Sequence, residues 1–233
     1  MAKITIIPTS HIARESIRQI RESVEKERPD CIAVELDPGR YQALQQGEAP
    51  MIDALKALGP TTFLFYFILK RLQDSLGKAV GVIPGSDMME AVRIAREKGI
   101  ALALIDRDIG DTFLRIKAIP AREKVRLMGL LLQAAAGLGI SKMKKPADGK
   151  TIDLSKVPPE KMVEEAMSIL QNQLPGLYRA LVQERNEHMA RRILSLSQSC
   201  SSVLVVVGAG HAKGIRKLLE KPEPSISYSF TAP

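Results

Sequence analysis

The sequence predicts an α/β protein with a central, mainly parallel sheet of about four to five strands, flanked by helices. A helical insertion is expected between the third and fourth strands. Three observations lead there. Short apolar runs of strand length, KITIIP (3–8), DCIAVEL (30–36), IALALI (100–105) and VLVVV (203–207), have the character of strands covered on both faces. Segments of helical period separate them. A polar residue capable of chemistry stands at or just beyond the end of each run: His11, Glu35, Asp106 and His211. In an open parallel sheet the carboxyl edge is where ligands bind. The 233 residues suffice for a single domain, 1–233, with the insertion at about 109–200.

The first strand, 3–8, runs through Thr9-Ser10-His11 into a helix over 12–27. Ile17, Ile20 and Val24 share one face of it, and Arg14, Arg18 and Arg21 point outward. The second strand, 31–36, is expected to form a βαβ unit with the first. Strand geometry puts Glu35 and Asp37 on one face. Asp37-Pro38 opens a helix carrying Arg40 and Tyr41, and capping is the expected role for Asp37. Glu35 is different, because a carboxylate in an apolar strand needs a partner or a metal.

Residues 51–78 read as helical and hold Phe63, Phe65, Tyr66 and Phe67, which points to core or subunit-interface packing. Residues 86–98 form an amphipathic helix capped by Ser86 or Asp87, with Met88, Ala91, Val92 and Ala95 facing inward and Gly99 ending it. The third strand, 100–105, terminates in Asp106-Arg107-Asp108, an echo of the Glu35/Asp37 spacing. Asp108 has the better claim to a structural role.

Residues 127–138 form an apolar helix suited to a buried or dimer-forming position, and 139–159 has linker composition. A long helix over 175–197 carries Glu184, Arg185, Asn186 and His188. Its charged run places His188 at the surface. The fourth strand, 203–207, leads through Gly208 and Gly210, read as a tight turn, to His211 and a helix over 212–220. A histidine at a helix N-terminus is biased toward its neutral, metal-binding form. Residues 225–230 alternate like an edge strand.

Lys and Arg exceed Asp and Glu by 34 − 26 = 8. The basic residues are spread over most helices, however, and aromatics make up 4% with no Trp, so no stacking platform for nucleic acid is expected. Cys31 and Cys200 make no disulfide framework. No apolar run reaches the roughly 20 residues of a bilayer span. A cytoplasmic protein without a membrane span is expected.

Six segments carry a family likeness: PTSHIARES (8–16), PDCIAVELDPGRYQAL (29–44), GSDMMEA (85–91), LIDRDIGDTFLR (104–115), ERNEHMA (184–190) and VVGAGHAKGI (206–215). Together they resemble the TraB/PrgY family. That family is similar in turn to the Tiki-type peptidases and the erythromycin-esterase/ChaN-like grouping. The likeness covers nearly the whole chain outside 120–175. It implies a metal-dependent peptidase built on two Gly-x-x-His motifs. Gly208-Ala209-Gly210-His211 fits that pattern, whereas Pro8-Thr9-Ser10-His11 has Pro in place of Gly. Arg185 and Asn186 match an Arg-Asn pair of the family. Pheromone-shutdown relatives carry a C-terminal membrane region, and the present chain reads as a soluble form.

The expected function is a metal-dependent hydrolase, a peptidase, with His11, Glu35 and His211 holding Mn²⁺, Co²⁺ or Zn²⁺. Glu35 would serve as ligand or general base, and Arg185 would stabilise an oxyanion or a substrate carboxylate. Asp106 would orient a ligand histidine. Asp37, Arg40, Asn186, Gly208 and Gly210 would complete the second shell or the substrate surface. The expected partners are a peptide or small-molecule ligand and a second copy of the chain. The alternative is a non-catalytic protein of the TraB family that sequesters a peptide or small ligand in the same cleft.

Overall fold

The computed structural model describes residues 2–9, 14–46, 85–135 and 159–220. His11, the helix expected over 51–78, most of the loop over 139–159 and the edge strand expected over 225–230 lie outside them. The strands are β1 (Lys3–Thr9), β2 (Cys31–Val34), β3 (Ala101–Leu104) and β4 (Ser202–Gly208). All are parallel and ordered β1-β4-β2-β3. The last strand thus inserts between the first two, so β1 and β2 are not the neighbouring pair that their spacing suggests. The physical reason lies in β4 itself. From Val203 to Val207 it is buried throughout, and a central position is the one that covers both faces and both edges of such a run.

The described helices are α1 (Arg14–Glu27), α2 (Pro38–Gln46), α3 (Ser86–Lys98), α4 (Ile109–Ala118), α5 (Ala121–Ala135), α6 (Glu160–Gln173), α7 (Pro175–Tyr178), α8 (Glu184–Leu196) and α9 (Ala209–Glu220). Between α7 and α8 the helix widens into a π-helical turn over Arg179–Gln183. No helix of the described residues is long and apolar enough to cross a membrane.

Alternation along the strands sorts the core into two layers. Ile7, Ile32, Val34, Leu204 and Val206 face α1 and α3, which supply Ile20, Val24, Met88, Ala91, Val92 and Ala95. Cys31, Ala33, Val203, Val205 and Val207 face the opposite way, onto Met189 and Ile193 of α8 and Ala212 and Ile215 of α9. Each fully buried Ile or Leu here contributes about 1.5–3 kcal/mol. The insertion has a smaller core of its own, made by Ile116, Ile119, Leu174, Leu177 and Ala180.

One local expectation is revised. Helix α3 is capped by Gly85 at φ 84°, with no side-chain cap, and Asp87 Oδ1 instead accepts from Met88 N at 2.8 Å. The positive φ excludes the usual capping residues from that position and leaves it to glycine. Gly99 ends the helix at φ 66°, as its sequence position implies.

Candidate functional site

Register aligns the carboxyl ends of the strands. Thr9 pairs with Gly208 and Val34 pairs with both Val206 and Leu104, so Glu35, Asp37 and Asp106 emerge at one edge. All three are buried, with exposures of 2%, 0% and 7%. Strand β4 passes directly into α9, so Gly208 and Gly210 make no separate turn. Neither has positive φ. His211 is therefore already in the first turn of α9, and it is buried.

Arg185, from the start of α8, reaches across this edge. Its Nη2 donates to Glu35 Oε1 at 2.5 Å and to Asp106 Oδ2 at 2.6 Å, and its Nε donates to Asp106 Oδ1 at 2.9 Å. Nη1 donates to Leu181 O at 3.2 Å and lies 3.1 Å from His211 Nε2. A guanidinium has no acceptor, so His211 Nε2 presents its lone pair. The ring proton is then on Nδ1, which donates to Asn186 Oδ1 at 2.7 Å. The tautomer follows from the chemistry of the two partners. Burial pushes the Arg185 pKa down, but the charges and hydrogen bonds of Glu35 and Asp106 outweigh it and hold the guanidinium above its ordinary value.

The remaining candidates fall into place around this group. Glu35 Oε2 accepts from Gly208 N at 2.6 Å, which ties β2 to the end of β4. Asp37 Oδ1 accepts from Arg40 N at 3.0 Å, the expected cap of α2. Arg40 Nη1 donates to Asp106 Oδ2 at 2.8 Å. Asp108 caps α4, its Oδ1 accepting from Gly110 N at 2.7 Å. Asn186 is the residue that orients His211. Asp106 is taken up by two arginines. His188 is half-buried rather than on the open surface. Burial and the charge of Arg107 lower its pKa.

One contributor was missed from sequence. A Cβ on Gly214 would collide with Asn186 Nδ2, so Gly214 makes room for the residue that holds His211. Its signal was spacing. Gly214 lies one position short of a full turn after His211, on the side that α9 presents to α8. The π-helical turn just before Glu184 also escaped notice, although such turns recur at functional sites.

His211 Nε2 and Glu35 Oε1 are groups that could hold a divalent ion. Nε2 carries a lone pair, its tautomer is fixed from behind by Asn186, and Glu35 Oε1 stands 3.4 Å away. Thr9 Oγ1 and Asp37 Oδ2 are buried at the same edge without hydrogen-bond partners among the described residues. Arg185 now satisfies both the Glu35 and His211 acceptors, so an ion there would compete with its guanidinium. Among the described residues no group of three His, Cys, Asp or Glu side chains converges for a metal.

Comparison with known proteins agrees with the six motifs. The sequence pattern of the TraB/PrgY/gumN family matches residues 2–224. An uncharacterised protein of Methanocaldococcus jannaschii is 34% identical over 225 residues, covering 94% of this chain and 54% of that protein. A human TraB domain-containing protein is 24% identical over 265 residues, with 97% of this chain and 68% of the relative covered. A bovine protein of the same description is 25% identical over 245 residues, covering 93% and 62%. The chain thus spans between about half and two thirds of the length of these relatives. It belongs to the TraB/PrgY/gumN family.

Proposed function

We propose that the protein is a metal-dependent hydrolase acting on peptides, with its reaction centre at the carboxyl edge of the sheet. The observation that carries this reading is the approach of His211 Nε2 to Glu35 Oε1 at 3.4 Å, with Nδ1 held from behind by Asn186 Oδ1. His211 and Glu35 would hold Mn²⁺, Co²⁺ or Zn²⁺, with His11 as the third ligand. When bound, the ion supplies a Lewis acid and an acidified water. Glu35 is ligand or base; its burial keeps the carboxylate away from bulk water, which sharpens either role. Arg185 holds a positive charge beside these groups, where an oxyanion or substrate carboxylate would be met. Asn186 fixes the His211 ring, and Asp106 with Arg40 fixes the guanidinium plane.

A second reading rests on its own observation. Both oxygens of Glu35 and both of Asp106 already accept hydrogen bonds from Arg185, Arg40, Arg107 N or Gly208 N. Such a closed network suits a protein that captures a peptide or small ligand without cleaving it. The deciding experiment purifies the protein without an affinity tag, measures bound metal, and screens a peptide library with added Mn²⁺, Co²⁺ or Zn²⁺. Cleavage that depends on metal and disappears in His211→Ala supports the hydrolase. Metal-free protein that binds peptides and never cleaves them establishes the capture reading.

A further inference from the structure

Glu184, just before Arg185, is shared by three guanidiniums. Its Oε2 meets Arg107 Nη1 at 3.0 Å and Arg115 Nη1 at 2.6 Å, and its Oε1 meets Arg179 Nε at 3.0 Å. Arg107 Nη2 also donates to Glu184 O at 3.2 Å. The π-helical turn is what brings Arg179 there. Glu184 N bonds to Arg179 O, so residues five apart stack where an α-helix would stack residues four apart. Burial raises the Glu184 pKa, but the surrounding arginines outweigh it and hold the carboxyl below its usual range.

One carboxylate carries one negative charge and cannot neutralise three guanidiniums. Asp108 and Asp111 form no ion pair with Arg107, Arg115 or Arg179 among the described residues, Asp108 is committed to the cap of α4, and Asp106 meets Arg107 through the backbone N while its charge faces Arg40 and Arg185. The side chains of Arg115 and Arg179 are 47% and 71% exposed, so donors of both remain in water. The cluster also adjoins the site already described, because Asp106 Oδ1 accepts from Arg107 N at 2.8 Å and from Arg185 Nε at 2.9 Å.

We propose that Arg115 and Arg179, gathered on Glu184 beside Arg107, form a subsite for a carboxylate of a peptide ligand, next to the Glu35–His211 pair. This names a substrate feature and rests on the peptide reading above. Guanidiniums match carboxylates through paired N–H donors. Arg107 spends Nη1 and Nη2 on Glu184 and is 10% exposed, so the donors left for a ligand are those of Arg115 and Arg179. A cluster gathered on one carboxylate suits a single anionic group better than an extended nucleic-acid strand, which needs a charged track.

The test uses the full chain in EDTA, with four pentapeptides carrying a neutral, carboxylate-free BODIPY label and read by polarisation. They share an apolar sequence and differ only by Asp or Asn at the centre and by a free or amidated C-terminus. The expected result is about tenfold tighter binding for peptides with a carboxylate, the size of one charged hydrogen-bonded contact. The two arms separate a side-chain carboxylate from a terminal one. Arg115→Gln and Arg179→Gln should each remove most of that preference and leave binding of the Asn amide peptide unchanged. Both positions are exposed, and circular dichroism checks that the variants fold. Equal binding of all four peptides, no binding at millimolar concentration, a preference untouched by either variant, or tighter binding of a five-nucleotide oligo-dT overturns the proposal. Preference for carboxylate without metal-dependent cleavage would leave the subsite standing and remove the hydrolase. Cleavage without that preference would do the reverse.

Discussion

Glu35 Oε1 and His211 Nε2 stand 3.4 Å apart at the end of the sheet, and one guanidinium, that of Arg185, touches both. They come from the residue just after β2 and from the first turn of α9, so the pair exists only because β4 has inserted beside β2. Glu35→Gln tests the pair directly. The amide keeps one acceptor, but its NH₂ group must face either Arg185 Nη2 or Gly208 N, both of which are donors. A stability loss of about 1–3 kcal/mol is expected, the cost of leaving a buried donor unpaired. Metal-dependent peptide cleavage should vanish at temperatures where the variant is still folded. Denaturant melts and turnover measured on the same preparation check both. Full turnover in a folded Glu35→Gln protein would exclude Glu35 from the chemistry.

Gly214→Ala should damage the site through packing alone. The added methyl group displaces Asn186, which loses its hold on His211 Nδ1. Overpacking of this kind costs about 1–3 kcal/mol. The distinguishing measurement is a double-mutant cycle with Asn186→Ala. If the clash is the cause, Gly214→Ala should cost little in the Asn186→Ala background, giving a coupling of about 1 kcal/mol or more. Additive effects would mean that Gly214 matters for some other reason.

Much of this arrangement is legible in the sequence, and the illegible part has identifiable causes. Glu35, Asp106 and His211 are marked by position, because each lies at or near the end of an apolar strand-length run. Arg185 is another matter. It sits in ERNEHMARR, a run whose charge reads as a solvated helix face, and residue types alone do not show that one of its arginines is drawn inward by two buried carboxylates. The family likeness singled it out where periodicity could not. Strand order was hidden as well, since β1, β2 and β4 are all apolar enough to occupy the centre. The small residues of GAGHAKG suggested a turn. Their observed use is closeness, with Gly208 N on Glu35, and Gly214 against Asn186.

Away from the site, Glu90 links α3 to α1 by accepting from Arg93 and Arg21, at 2.7 and 2.6 Å. Hydrogen bonds from Arg93 and Arg21 outweigh burial and lower the Glu90 pKa from 4.5 to about 2. A depressed carboxyl pKa contributes stability that is fully present above pH 4.5 and is lost as pH falls toward 2. Arg21 and Arg93 are 59% and 49% exposed, so solvent screening keeps the contribution to about 1 kcal/mol. Glu90→Gln should lower stability by that amount at pH 7 and flatten the acid limb of the stability curve between those two pH values. Urea melts at pH 7, 4 and 3 on both proteins provide the check. An unchanged acid limb would show that Glu90 does not carry this dependence.

Asp106 has the largest predicted effect on stability, because two arginines depend on it. Its Oδ2 accepts from Arg40 Nη1 and Arg185 Nη2, and its Oδ1 accepts from Arg185 Nε and Arg107 N. Asp106→Asn removes the negative charge and turns one acceptor into a donor that faces guanidinium N–H groups. Arg185 would keep only Glu35 as a charged partner, and Arg40 would retain Asp37 at 4.0 Å. Breaking a buried pair by removing one partner costs about 3–5 kcal/mol. The released guanidinium should also shift toward Glu35 and His211, so His211 becomes the reporter. Its ring ¹⁵N resonances should move in Asp106→Asn. A variant that loses less than about 1 kcal/mol, with His211 resonances in place, would show that Arg185 is held by Glu35 and the Leu181 carbonyl without needing Asp106.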